Sequence, residues 1–185
     1  ENVRGFLDPD FEGYRKRLFA QFRKLGYQPD IRLLHASNHG VPQLRPRVVI
    51  VALRSDDAEH FSWPEKLSSS APTVGDTLLD LMAANGWQGA SAWAAGAQAI
   101  APTIVGGSKK HGGPDLGPSR ARKAWAQLGV NGGTIADFAP DRDFTEIPKL
   151  TVRMVARIQG FPDDWHFTGR KTAAYRQVGN AFPPP

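Results

Sequence analysis

The chain has 185 residues and a net charge of +5, and it contains no cysteine. That length allows one domain or two small ones, and no apolar run is long enough to cross a bilayer. The missing cysteine excludes disulfides, zinc–thiolate sites and a cysteine nucleophile within the chain, while the positive charge suits a polyanionic partner without requiring one.

The first predicted element is an amphipathic helix that follows Asp10, a plausible N-cap. Its apolar residues recur at steps of three and four, as one buried helix face requires. They are Phe11, Tyr14, Leu18, Phe22 and Leu25. Gly26 fits the C′ position at which helices end. We interpret the arginines and lysines between them as a solvated face rather than a DNA site.

Two strands are predicted next, over residues 31–36 and 47–53, joined by a loop that contains Gly40. The second strand is continuously apolar from Val48 to Leu53 rather than alternating. Such a strand is normally covered on both faces, as in the interior of an α/β sheet. We therefore expect a sheet that carries helices on its faces.

A further helix is marked by Thr73 and Asp76, which stand three residues apart as in a capping box. Gly86 is its expected end. The residues expected on its buried side are Val74, Leu78, Leu79, Leu81 and Met82.

The stretch from 87 to 148 is rich in glycine, alanine and tryptophan, which predicts a small loop-rich region. Beyond it, Thr151 is the expected N-cap of a helix that ends at Gly160. Another short helix is predicted over residues 172–178, closed by Gly179.

Four short motifs stand in order along the chain. They are Glu1-Asn2-Val3, Gln43-Leu44-Arg45-Pro46-Arg47, Arg157-Ile158-Gln159-Gly160-Phe161-Pro162 and Gly179-Asn180. In that order they resemble the later motifs of the DNA (cytosine-5-)-methyltransferase family. The variable stretch between the second and third falls where that family places its DNA-reading domain, which makes the combined pattern strong although each motif alone is weak.

The resemblance implies an α/β fold: a partial Rossmann-like methyltransferase sheet, made of an antiparallel hairpin plus helices, with a small loop-rich target-recognition domain. Residues 1–86 are then the C-terminal portion of the catalytic domain. Residues 87–148 are the target-recognition domain, and residues 149–185 form a linking helix and a return to the catalytic domain.

The resemblance also implies methylation of cytosine at C5. In the family a thiolate adds to C6, and C5 then attacks the methyl group of S-adenosylmethionine. The Pro-Cys motif with that thiol and the glycine-rich cofactor turn precede the Glu-Asn-Val triplet in relatives, and neither occurs here. We therefore expect a chain that is inactive alone and works with an N-terminal half carrying the catalytic cysteine.

Three catalytic residues follow from the resemblance. Glu1 would protonate N3 of the cytosine and accept a hydrogen bond from its exocyclic amine. Arg47 would hold the cytosine O2, and Arg45 would position the backbone or a neighbouring loop. We expect the two arginine side chains to diverge, with one inside the pocket and the other at its rim, and Gln43 to fix the turn before them.

The Gly179-Asn180 pair borders the S-adenosylmethionine site in relatives. Asn180 would offer its amide to the cofactor, followed by Ala181 where the family often has serine. Helix termination is the structural alternative for Asn180.

The resemblance implies that basic residues among the glycines of the central region would bind double-stranded DNA. The candidates are Lys109, Lys110, Arg120, Arg122 and Lys123. The segment around Gln159 is expected to be structural, with Phe161 and Trp165 in the core and Arg153 or Arg157 as candidate phosphate contacts. The five histidines show no metal-ligand spacing.

Three interpretations stay open within this resemblance. The chain is an excised or truncated C-terminal part of the enzyme, the natural DNA-binding subunit of a split methyltransferase, or an RNA-directed relative with the same chemistry. The first is favoured, and the expected setting is the bacterial cytoplasm, in association with the nucleoid and with no membrane.

Overall fold

A computed structural model, which describes residues 1–106 and 113–185, contains a three-stranded antiparallel sheet. Its strands are β1 (Asn2–Val3), β2 (Tyr27–His35) and β3 (Pro46–Arg54), in the order β1–β3–β2. The predicted hairpin is confirmed, although β2 begins four residues earlier than expected. On the other side of β3, Asn2 pairs with Val48 and Val3 with Arg47, so the start of the chain lies beside the start of β3.

The expectation that β3 is covered on both faces is wrong for most of its length. Val48 is fully buried, but the residues that follow it in the strand remain partly exposed. Within the described ranges, the helix α1 (Glu12–Lys24) packs on β2, while the single turn α2 (Ser55–Ala58) and the 3-10 turn Arg4–Leu7 pack on β3. A continuous apolar run therefore signals the sheet interior without showing which elements cover it.

The helix α1 differs from its prediction at one end only. Pro9–Phe11 form a 3-10 turn that merges into the helix, so Asp10 is not the N-cap, and Phe11 occupies that position without a side-chain bond. Gly26 has φ +81°, which confirms it as the residue that ends the helix. The apolar face is mostly open, since Phe11 is 47% and Tyr14 52% exposed.

The helix α3 (Val74–Met82) begins at the predicted capping box. The Thr73 side chain accepts from the backbone N–H of Asp76, and the Asp76 carboxylate accepts from the backbone N–H of Thr73. The helix ends at Met82 rather than near Gly86. Val74, Leu78 and Met82 are fully buried, whereas Leu79 faces solvent, contrary to expectation.

Among the described residues of the second half of the chain there are four further helices, separated by loops. They are α4 (Ala90–Gly96), α5 (Ser119–Ala126), α6 (Val152–Ile158) and α7 (Lys171–Asn180). Thr151 caps α6 as predicted, and Gly160 follows it with φ +91°. One buried cluster joins these helices to α3, with members that include Leu78, Trp125, Ile135, Met154 and Tyr175. No helix in the described part of the chain combines the length and the apolar character that a membrane span needs.

Candidate active site

Glu1 and Arg47 form an ion pair where β1 meets β3. The Nε of Arg47 lies 3.2 Å from Oε2 of Glu1, because the pairing of Val3 with Arg47 brings Glu1, two residues before Val3, alongside the arginine side chain. Burial lowers the pKa of Arg47, and the Glu1 carboxylate opposes that shift. The pair places a carboxylate beside guanidinium donors, an arrangement that can bind a planar group through donors and acceptors at once.

Arg45 lies deeper and is 1% exposed. Its guanidinium donates to three backbone carbonyls: Nη1 to Ile104 at 2.9 Å, and Nη2 to Gly179 at 3.1 Å and Ala181 at 2.7 Å. Burial lowers the pKa of Arg45 to about 10, so the side chain stays charged at neutral pH. These contacts connect the start of β3 to two distant segments of the chain.

The two arginines do not diverge, contrary to expectation. Arg45 and Arg47 both line one cavity of about 150 Å³, together with Leu34, Val41 and Phe182. Residues two apart on an extended chain share a face, so the predicted divergence was wrong on geometric grounds.

Gln43 and Gln159 are both fully buried and contact each other. The Nε2 of Gln43 donates to Oε1 of Gln159 at 2.6 Å, and Oε1 of Gln43 accepts from the backbone N–H of Ile104 at 2.8 Å. Gln159 in turn donates to the Ala181 carbonyl at 2.6 Å. The sequence motifs contained both glutamines, but only the fold reveals that they meet across the site.

Asn180 is the last residue of α7 and is exposed. Gly179 lies inside the helix, so the prediction that it closes the helix is wrong. A Cβ at Gly179 would lie 2.5 Å from the Cα of Gly106, and a Cβ at Gly106 would lie 2.1 Å from Oδ1 of Asn180. Glycine is needed here for close approach of two backbones rather than for a turn.

Tyr175 was not singled out from the sequence. It is fully buried on α7, and its hydroxyl lies 2.8 Å from the carbonyl oxygen of Val105 and 2.5 Å from that of Asp115. Burial raises the pKa of Tyr175, so the hydroxyl keeps its proton. Helix periodicity marks its buried position, but nothing local identifies its partners.

The structure describes three of the five basic residues proposed to contact DNA. Arg120, Arg122 and Lys123 lie exposed on α5, whose buried side carries Trp125. Lys109 and Lys110 lie outside the described residues.

The arginines of α6 serve other contacts. Arg157 pairs with Asp80 of α3 at 2.5 Å and with Asp163, and it also donates to the Thr77 carbonyl at 3.2 Å. Arg153 donates to two carbonyls of the following loop. These partners occupy the donors that a phosphate contact would use.

The aromatic residues after α6 fulfil the core prediction only in part. Phe161 packs against the buried cluster and against Phe167, with ring centroids 5.0 Å apart. Trp165 contacts Phe161 but is 52% exposed, so its placement in the core is wrong. It follows a turn at Pro162 that carries the chain back toward solvent.

Similar proteins are found for the whole chain. It is 60% identical to the Type II methyltransferase M.NaeI of Lentzea aerocolonigenes and 50% identical to M.NgoMIV of Neisseria gonorrhoeae, in both cases over all of this chain. It covers 45% and 59% of those proteins, so it spans about half the length of these relatives.

Solved structures give the same picture of the fold. A DNMT2 structure from Spodoptera frugiperda has a TM-score of 0.55 and 16% identity, covering 98% of this chain and 61% of that one. A methyltransferase of Entamoeba histolytica has a TM-score of 0.52 and 12% identity, covering 95% and 56%. The model of the C-5 cytosine-specific DNA methylase family matches residues 1–185. The chain therefore belongs to the C-5 cytosine-specific DNA methylase family.

Proposed function

We propose that this chain supplies the base-holding residues, the edge of the cofactor site and the DNA-reading region of a methyltransferase that acts on C5 of cytosine. The observation that carries the proposal is the Glu1–Arg47 pair, in which an acceptor and a cation stand side by side and the cation lines a small cavity. The whole reaction further needs a cysteine, which this chain lacks.

In this proposal the pair holds a cytosine that has left the base stack, because chemistry on a base inside a duplex requires its extrusion. Arg47 donates to the O2 oxygen. The Glu1 carboxyl accepts from the exocyclic amine and delivers a proton to N3, which eases addition of a thiolate at C6. Arg45 contributes indirectly, by fixing the backbone around them through its carbonyl contacts.

The residues near Asn180 fit a polar cofactor group. Asn180 is exposed, and its amide packs on one side against Gly106, where a side chain would collide with it. An amide provides donors and an acceptor to a ligand that carries both an amine and a carboxylate. S-adenosylmethionine, when bound, supplies the methyl group, and in this proposal Asn180 orients it. The Ala181 backbone, whose carbonyl accepts from Arg45 and Gln159, holds Asn180 in place at this edge of the site.

The reading of DNA is assigned to the α5 side of the central region, with Arg120, Arg122 and Lys123 as contacts to phosphates or to a guanine edge. Lys109 and Lys110 remain candidates from the sequence. Residues 87–148 are proposed as the target-recognition domain, within a protein of the restriction-modification type.

The test uses the complete protein that contains this chain, with tritiated S-adenosylmethionine and either duplex DNA or tRNA. We expect 5-methylcytosine in the DNA. Methyl transfer to adenine, to the exocyclic amine or to tRNA alone would contradict the proposal. In a parallel reaction, residues 1–185 alone should transfer nothing until a polypeptide carrying the cysteine is added.

A further inference from the structure

The buried glutamines and Arg45 form a closed hydrogen-bond ring, defined by Gln43, Gln159, Ala181, Arg45 and Ile104. From Ile104, one path runs through Gln43 and Gln159 to the Ala181 carbonyl. The other runs from the Ile104 carbonyl through Arg45 to the same Ala181 oxygen. That oxygen therefore accepts two bonds, of 2.7 Å and 2.6 Å, which uses both of its lone pairs.

The first path has a fixed polarity. At one end the Ile104 N–H is a donor, and at the other end the Ala181 carbonyl is an acceptor, so each glutamine must accept on one side and donate on the other. Turning either amide would place two donors or two acceptors face to face. Because both amides are fully buried, no water is available to repair such a mismatch.

The ring lies beside the contact that places Asn180. Ile104 precedes Gly106 by two residues, and Ala181 directly follows Asn180. Gly106 in turn packs against both Gly179 and the Asn180 side chain with no room for a Cβ. A displacement of Ile104 relative to Ala181 would therefore shift the surface against which Asn180 is held.

We infer that Gln43 and Gln159 are positioning residues for the cofactor edge of the site. They set the register of the 104–106 segment against the end of α7, and Asn180 takes its place from that register. Neither glutamine need touch the ligand. This inference rests on the proposed function, since it assigns Asn180 to the cofactor.

The experiment compares Gln43→Met, Gln159→Met and the double variant in the complete protein. Loss of one buried bond with its partner left unsatisfied should raise the KM for S-adenosylmethionine about tenfold in each single variant. The KM for DNA and the DNA dissociation constant should change by less than about twofold. The double variant should be no worse than the more impaired single variant, because either substitution interrupts the same path.

Gln98→Met, at a more exposed glutamine, is the control for the substitution itself. Its amide also donates to a backbone carbonyl, that of Ala94 at 2.8 Å, but it stands outside the ring. Its KM for S-adenosylmethionine should equal that of the unmodified protein. If Gln159→Met does not fold, Gln43→Met decides the question from the other side of the same bond.

Two results would overturn the inference while the proposed function stands. One is an active enzyme whose KM for S-adenosylmethionine does not respond to either substitution. The other is additive losses in which cofactor KM, DNA affinity and kcat all deteriorate together, as general destabilisation predicts. Absence of any methyl transfer by the unmodified complete protein would instead refute the proposed function itself.

Discussion

Gly179 and Gly106 approach so closely that a Cβ on Gly179 would stand 2.5 Å from the Cα of Gly106. Gly179 belongs to α7, and Gly106 belongs to the loop after Ile104. Both residues lie next to Asn180 and help to hold it in place. The contact joins two backbones directly, without an intervening side chain.

Gly179→Ala should therefore destabilise the protein, by about 2 kcal/mol, because the backbone of Gly106 must move to admit the methyl group. Without that contact, alanine within a helix would be favoured over glycine by about 0.5–1 kcal/mol. Gly96→Ala is the control, since a Cβ there meets nothing within 4 Å. Urea unfolding of both variants measures the difference, and equal stabilities would contradict the close approach.

Arg45→Lys should behave as a severe change. One ammonium on a flexible stem cannot serve the three carbonyls that the guanidinium fork reaches, and buried carbonyls left without donors each carry a penalty of about 1–3 kcal/mol. We expect a loss of about 2–4 kcal/mol in the free energy of unfolding. The exposed Arg120→Lys should leave that free energy unchanged, and similar losses in both variants would argue against the buried network.

Arg47→Met should lower kcat of the complete methyltransferase about 100-fold if Arg47 stabilises charge that develops on the base. Arg54→Met at the other end of β3 is the control, because that side chain stacks on Tyr27 far from Glu1. Steady-state kinetics with saturating DNA and cofactor distinguish the two. An unchanged kcat in Arg47→Met would show that Arg47 does not act on the base.

Acid stability should depend on Arg157. Its hydrogen bonds lower the pKa of Asp80 and Asp163 below their ordinary value of 3.8. Carboxylates with a depressed folded pKa stabilise the protein above their ordinary pKa, and the contribution disappears as pH falls through the folded value.

Asp163→Asn should thus lower stability at neutral pH by no more than about 1 kcal/mol, since the carboxylate is half exposed. It should also flatten the decline in stability below pH 3.8. The neighbouring exposed Asp164→Asn serves as control, and unfolding curves recorded from pH 7 to pH 2 supply the comparison. A decline as steep in Asp163→Asn as in the control would count against the pairing.

The salt dependence of DNA affinity should show whether α5 contacts the DNA backbone. If Arg120 and Lys123 each neutralise a phosphate, replacing both with alanine should reduce the slope of log affinity against log salt by about 2. Lys16→Ala on α1 should leave the slope unchanged, since that lysine pairs with Glu12 on a surface assigned to solvent. Equal slopes for all three proteins would move the DNA contact elsewhere.

Local sequence signals predicted local structure well. The Thr73 and Thr151 caps and the terminating Gly26 were confirmed because each depends on bonds or dihedrals within a few residues. The antiparallel β2–β3 hairpin, which the family resemblance implied, was also confirmed, with the ten residues 36–45 between its strands.

What depends on distant packing was harder to predict. Tyr14 and Trp165 belong to apolar sequence patterns but are exposed, because such a pattern does not show whether another element packs against the side chain. The motifs brought Glu1, Arg45 and Arg47 to attention, but the bond between Gln43 and Gln159 joins residues 116 positions apart, and no local pattern encodes it.

The hydroxyl of Tyr175 connects α7 to two other points of the chain, because it lies within hydrogen-bond distance of the carbonyl oxygens of Val105 and Asp115. The entropic cost of joining two fixed points grows only slowly with the number of residues between them. The phenol therefore ties the segment that ends at Val105 to the one that begins at Asp115 whatever the length of chain between them, and this tie stands next to the close approach of Gly106 to Gly179.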